Sequence, residues 1–294
     1  MDIFGIPSQA LFGQLLIGLI NGSFYALLSL GLAVMFGLLN IINFTHGAQY
    51  MLGAFCAYLL LAKLGVGYWW SLLIAPIVVG ITGMIIERTM LSRLYKLDHL
   101  YGLLLTFGLA LIIQGLFRNE FGSSGLPYRI PEELQGARNL GFMFLPNYRA
   151  WVIVVSLVVC LATWYVIERT KLGAYLRAAT ENPQLVQAFG INVPRMITLT
   201  YGFGVALAAF AGVMAAPIYQ VNPLMGADLI IVVFAVVVIG GMGSIMGAIV
   251  TGFGLGVVEG LTKVFYPEAS NTVIFIIMAI VLMFKPAGLF GTQK

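Results

Sequence analysis

Apolar residues in this chain are gathered into nine runs, at 11–39, 48–62, 71–86, 100–117, 150–167, 196–219, 229–239, 245–264 and 272–284, and nearly all charges fall in the gaps. A helix rises about 1.5 Å per residue, so ~20 apolar residues cross a ~30 Å hydrocarbon core. Several runs reach that length. Others fall short, and 229–239 can enter the core and stop midway. Hydrophobic residues make up 61% of the 294 residues and charged ones 9%, whereas soluble domains hold roughly 45–50% and about 25%. The pattern predicts an all-α, polytopic integral membrane protein of about eight transmembrane helices, within one, including broken or half helices. Residues 1–294 form a single transmembrane domain. Residues 1–9 lack a basic leader and the apolar run after them is too long for a signal core, so the first run reads as a retained span.

Orientation follows from the basic residues between runs. The stretch 88–99 carries Arg88, Arg93 and Lys96, and 168–195 carries Arg169, Lys171, Arg177 and Arg195. Between them, one span away from each, lies 118–149 with Arg118, Arg129, Arg138 and Arg149. Seven basic residues against four make 88–99 and 168–195 the cytoplasmic pair and 118–149 the external loop. Tyr68, Trp69 and Trp70 then sit at the outer interface as an aromatic belt. Met1 is external if the first run crosses once, and a cytoplasmic Lys294 requires an odd number of passes over 229–284. The formal charge of +4 thus reports topology and gives no reason to invoke nucleic acid.

Polar groups within apolar runs are costly and therefore candidates for function. They include Asn21, Asn40, Asn43, Thr45, His46, Gln49, Gln114 and Glu259. The tightest group, Asn43, Thr45, His46 and Gly47, lies at a helix break spanning 40–47. A second break contains Gly240, Gly241, Gly243 and Ser244. Segments 46–54 and 240–248 align at Gly47 with Gly241 and at a closing Gly-Ala, which hints at an internal repeat of the kind that marks a transport pathway. Unwound backbone at membrane depth must be buried in protein or line an aqueous cavity; the first possibility makes the breaks packing devices, the second makes these eight residues part of the pathway. His46 is either a gate or a partner for freed carbonyls. Gly247, Gly252, Gly256 and Gly260, with Gly243, recur at helical spacing and predict close helix packing. Glu259 and Lys263 form an i, i+4 pair near an interface, and Asp228 is placed to cap a helix start.

Constellations for catalysis are missing from the sequence. His46 and His99 with Cys56 and Cys160 do not have the spacing of a usual zinc site, and both cysteines fall within apolar runs as packing residues. No lysine follows a glycine as a Walker A loop requires, so the chain is expected to bind no cofactor and to leave ATP to other subunits. The loop 168–195 contains a more specific signal. Asn182 can cap a short helix that has Pro183 at its first position and ends at Gly190. Leu185, Val186 and Phe189 then share one face. A two-turn helix is marginal in water, so it needs a groove, either on its own spans or on a partner.

The chain resembles the membrane-embedded permease subunits of branched-chain amino-acid ATP-binding-cassette importers, the high-affinity leucine, isoleucine and valine type. The resemblance is carried by Asn40 through Gly47 leading to Leu52-Gly53-Ala54, by Leu172-Gly173 through Arg177-Ala178 to Gly190-Ile191-Asn192, by Gly240-Gly241-Met242-Gly243-Ser244 with Gly247-Ala248, and by the ending Pro286 to Gly291. It implies a bacterial inner-membrane protein, multi-pass, paired with a second homologous permease. It also implies two ATPase subunits beneath the pair and a substrate-binding protein outside. Arg177, Glu181, Asn182, Leu185, Val186, Phe189 and Gly190 then belong to the coupling helix that docks in a cleft of the ATPase. Met246 stands where many members have proline, and Thr45 where many have alanine. Relatives of this architecture carry neutral or aromatic amino acids, urea and short amides, or small carboxylates. A secondary transporter driven by ion gradients is the competing class, since it too uses repeats and broken helices, but it needs intramembrane acids and has no use for a capped amphipathic helix in a cytoplasmic loop. A membrane enzyme stands third, for want of an acid, base, nucleophile or metal cluster.

Overall fold

A computed structural model of the chain describes residues 2–3, 6–39, 41–95, 97–141 and 143–291. All nine apolar runs are helical. The helices are α1 (Ser8–Leu39), α2 (Thr45–Leu64), α3 (Tyr68–Thr89), α4 (His99–Phe121), α5 (Asn147–Arg169), α6 (Lys171–Glu181), α7 (Pro183–Ala188), α8 (Val193–Tyr219), α9 (Ala227–Gly240), α10 (Ile245–Phe265) and α11 (Val273–Phe284). Strands among the described residues are confined to two hairpin pairs of two or three residues, the second joining Ala137–Asn139 to Phe144–Pro146 in the loop 118–149.

Seven helices, α1 to α5, α8 and α10, are long and apolar enough to cross a membrane. α9 and α11 have 14 and 12 residues, roughly 21 and 18 Å at 1.5 Å per residue, and do not span the core alone. The expected eight falls between seven full spans and nine passes.

α1 and α10 form the spine of the bundle. A Cβ on Gly260 would meet Gln14 and Gly18, one on Gly256 would meet Gly18 and Gly22, and one on Gly252 would meet Ala26. The two helices are therefore antiparallel, with small residues on both facing stripes, so the backbones approach closely. Gly243, just ahead of α10, packs on Gly37 at the foot of α1, while Gly247 turns the other way, against Gly240 of α9.

Along this spine α1 serves as a ruler. His46 lies against Leu28, nine residues above Gly37 or about 13 Å at 1.5 Å per residue. Gly47, next in α2, packs on Gly226, the residue before α9. α9 thus begins deep in the bundle and descends to the foot, where Gly240 meets Gly247. The chain arrives there from the opposite end of the bundle: Val221 pairs with Leu126 of the loop 118–149 in an antiparallel bridge, so 220–226 dips inward from the end of α8. Its backbone is satisfied on the way, with Asn222 Oδ1 accepting from Leu224 N at 3.0 Å and Leu224 O from Ala227 N at 2.9 Å, as irregular chain at depth requires.

α9 thus arrives at the foot and α10 leaves it. The chain after α11 returns to the foot. There Leu289 N donates to Ile239 O at 2.8 Å and Phe290 N to Gly240 O at 3.1 Å, satisfying carbonyls that the end of α9 leaves free. Met1 and Lys294 lie outside the described residues, as do Asn40 and Lys96.

Candidate functional site: two helix breaks and the helices of the loop 168–195

The first break is shorter than the sequence implied. Thr45, His46 and Gly47 form the first turn of α2, so the described part of the break is 41–44. Its backbone is taken up by one side chain of α4. Phe44 N donates to Thr106 Oγ1 at 3.1 Å, and Thr45 Oγ1 donates to Thr106 O at 2.8 Å. His46 Nε2 lies 3.0 Å from Leu28 O, and Asn43 Nδ2 donates to Gln49 Oε1 at 3.1 Å. Asn43, Thr45 and His46 are all 0% exposed, so in this conformation they face protein and not water. Gln49 also interacts with His46 and the Tyr201 hydroxyl, while Asn43 Oδ1 is buried there with no hydrogen bond among the described residues, at about 1–3 kcal/mol for a buried polar group left unpaired.

The second break is a turn at the foot. Gly241 and Gly243 have φ of +102° and +92°, which glycine adopts at little cost, and Ser244 Oγ accepts from Gly247 N at 3.0 Å to cap α10. The first break meets α1 near Leu28 and the second at Gly37, about 13 Å apart along that helix at 1.5 Å per residue. At the aligned pair of the suggested repeat, Gly47 lies in a helix and Gly241 in a turn.

The loop 168–195 folds into two helices. Asn182 Oδ1 accepts from Leu185 N at 3.0 Å, Pro183 opens α7, and Gly190 follows it with φ of +81°. Leu185 and Phe189, four residues apart, are 54% and 77% exposed. Val186 does not share their face; it is buried with Ala179 and Val193 in a small cluster of this chain's own residues. One step along a helix turns the side chain by about 100°, which separates it from Leu185. Arg177 is also committed internally, donating to Ile167 O at 3.2 Å and lying 3.5 Å from Glu168 Oε2. Glu181 is exposed at the end of α6. α6 buries Gly173, Leu176 and Ala179 and exposes Leu172 and Tyr175, which extend the apolar surface of α7 and which the sequence reading missed.

The sequence matches the family described as "Branched-chain amino acid transport system / permease component" over residues 14–282. The chain belongs to this family of permease components. It is 30% identical over 296 residues to the "High-affinity branched-chain amino acid transport system permease protein LivH" of Escherichia coli (strain K12), with 96% of each chain covered. It is 32% identical over 294 residues to the corresponding BraD protein of Pseudomonas aeruginosa, again with 96% of each covered. A second Escherichia coli (strain K12) permease protein of the high-affinity system, LivM, is 28% identical over 297 residues, covering 92% of this chain and 68% of that protein. No solved structure matches.

Two buried acids give this permease polar junctions at opposite ends of the bundle. Glu87, near the C-terminal end of α3, is 2% exposed and accepts from Tyr95 Oη and Thr198 Oγ1, each at 2.6 Å. Burial, together with the adjacent Glu87 carboxylate, raises the Tyr95 hydroxyl well above the usual tyrosine range, so it stays a donor. Glu259 accepts from Tyr25 Oη at 2.7 Å and Asn21 Nδ2 at 3.2 Å and is bonded to Lys263. The i, i+4 pair is thus one part of a network joining α1 to α10, extended by Tyr219 Oη donating to Asn21 Oδ1 at 2.5 Å. Asp228 caps nothing: α9 has no side-chain cap, and the carboxylate sits exposed in its first turn.

Proposed function

We propose that this permease forms half of the translocation pathway of an inner-membrane importer for branched-chain or closely related amino acids, driven by separate ATPase subunits. The observation that carries the coupling half of the reading is the capped α7 with Leu185 and Phe189 outward. Two exposed apolar anchors on a rigid cytoplasmic helix are what a groove on a partner recognises. The second permease is a related chain, a reading supported by the resemblance of this sequence to both LivH and LivM. Asn43, Thr45, His46 and Gly47 act as a pivot where α2 meets α1 and α9. The unpaired Asn43 Oδ1 favours a state of the cycle that lets water in. An ion-coupled carrier finds less support, because it has no use for a capped α7 with two outward apolar residues.

Substrate class is tested by competition. In vesicles holding the permease with its partner permease, ATPases and binding protein, excess unlabelled isoleucine or valine should suppress labelled leucine uptake, whereas urea, acetamide and succinate should not. Suppression by one of the latter, with valine inert, would move the protein to another substrate class.

A further inference from the structure

Asp228 is the charge in this bundle whose position is hardest to reconcile with lipid. It lies two residues after Gly226, which packs on Gly47 about 13 Å above the foot of α1 by the ruler given above. Measured instead up α9 from Gly240, Asp228 stands about 18 Å above the foot at 1.5 Å per residue. With the foot taken as the edge of a ~30 Å core, both place it about halfway across. Its side chain is exposed on the surface of the single chain, and among the described residues it has no hydrogen bond and no ion pair. A carboxylate at that depth is expensive against hydrocarbon and faces either water or a cation.

The surroundings select the cation. Asp228, Ile231 and Phe234 descend one i, i+3 ridge of α9. Ile231 is 57% exposed, and Leu224, just above, is 43% exposed. At the lower end of the ridge Phe234 stacks on Phe44, with ring centroids 4.6 Å apart, and Phe44 meets Phe107 edge-on at 6.1 Å. Phe107 is itself half exposed on α4. One anion above an aliphatic and aromatic ridge complements a molecule with one ammonium group and one apolar side chain.

We infer that Asp228 lines the aqueous passage between this permease and its partner and holds the ammonium group of the amino-acid substrate, whose side chain rests on Ile231 and Phe107. This rests on the substrate class proposed above. The passage supplies the water that the carboxylate needs when substrate is absent, and the contact is remade in every cycle.

The test uses the complete reconstituted transporter. Asp228→Asn should lower leucine uptake about tenfold or more, the scale for losing a hydrogen bond to a charged group, with the subunit composition unchanged. Asp228→Glu should retain part of the activity. With Cys56 and Cys160 changed to serine, the Asp228→Cys variant should react with an aqueous thiol reagent in at least one nucleotide state, more slowly when leucine-loaded binding protein is present. Wild-type uptake by Asp228→Asn, or an inert cysteine in every state, overturns the inference while leaving the substrate class intact. Loss of the second permease from Asp228→Asn also overturns it, because the carboxylate would then be a fixed ion-pair partner between subunits. A wild-type complex that moves only substrates lacking an amino group refutes both readings.

Discussion

Phe189→Asp should strip the ATPase subunits from the purified permease while leaving the membrane bundle folded. Phe189 is 77% exposed, so its ring adds little to the stability of this chain and is free to be buried by another. Fully burying a phenylalanine contributes about 1.5–3 kcal/mol, and anchors of this kind reach ≥ 2 kcal/mol at interfaces. Losing about 2 kcal/mol weakens association roughly 30-fold, before the penalty of placing a carboxylate in an apolar groove. Co-purification of the ATPases reads this directly. Val186→Asp is the contrasting variant: it charges the cluster with Ala179 and Val193, so it should lower the thermal stability of the permease itself. Undiminished ATPase recovery with Phe189→Asp would reject α7 as the docking helix.

Glu259→Ala should cost the bundle about 3–5 kcal/mol, the range for breaking a buried ion pair by removing one partner. Its carboxylate, 5% exposed, collects Tyr25, Asn21 and Lys263 and ties α10 to α1. Removal leaves donors from both helices unmatched, with an ammonium among them. Glu259→Gln keeps acceptors for Tyr25 and Asn21 and should cost less. Glu259→Met combined with Lys263→Met removes both charges and should recover much of the loss. Unfolding in detergent micelles ranks the three. A Glu259→Ala protein as stable as wild type would show that the network contributes nothing to the α1–α10 spine.

What the sequence made legible was local. Asn182, Pro183 and Gly190 mark the ends of α7 because capping chemistry acts within one turn, and the apolar runs give the long helices because hydrocarbon demands them. Contacts between distant residues were not legible. Glu87 directly follows the apolar run 71–86, and nothing there signals that its carboxylate accepts from Thr198, 111 positions away. Thr106, in the middle of an apolar run, carries the backbone of the first break, and nothing in its neighbourhood signals that. Val186 and Leu185 are adjacent apolar residues, and only the fold decides that one is covered by α6 and α8 while the other is left for a partner. Asp228 shows the reverse error. Its place beside a helix start suggested a cap, whereas its depth, set by Gly47 against Gly226, is the property that matters.

The energy source separates the importer from the carrier most directly. Proteoliposomes containing the permease, its partner permease, the ATPases and leucine-loaded binding protein should accumulate labelled leucine only with ATP, should stop when vanadate blocks the ATPases, and should be indifferent to ionophores that collapse proton and sodium gradients. Uptake by the permease alone, independent of ATP and abolished by an ionophore, would contradict the account.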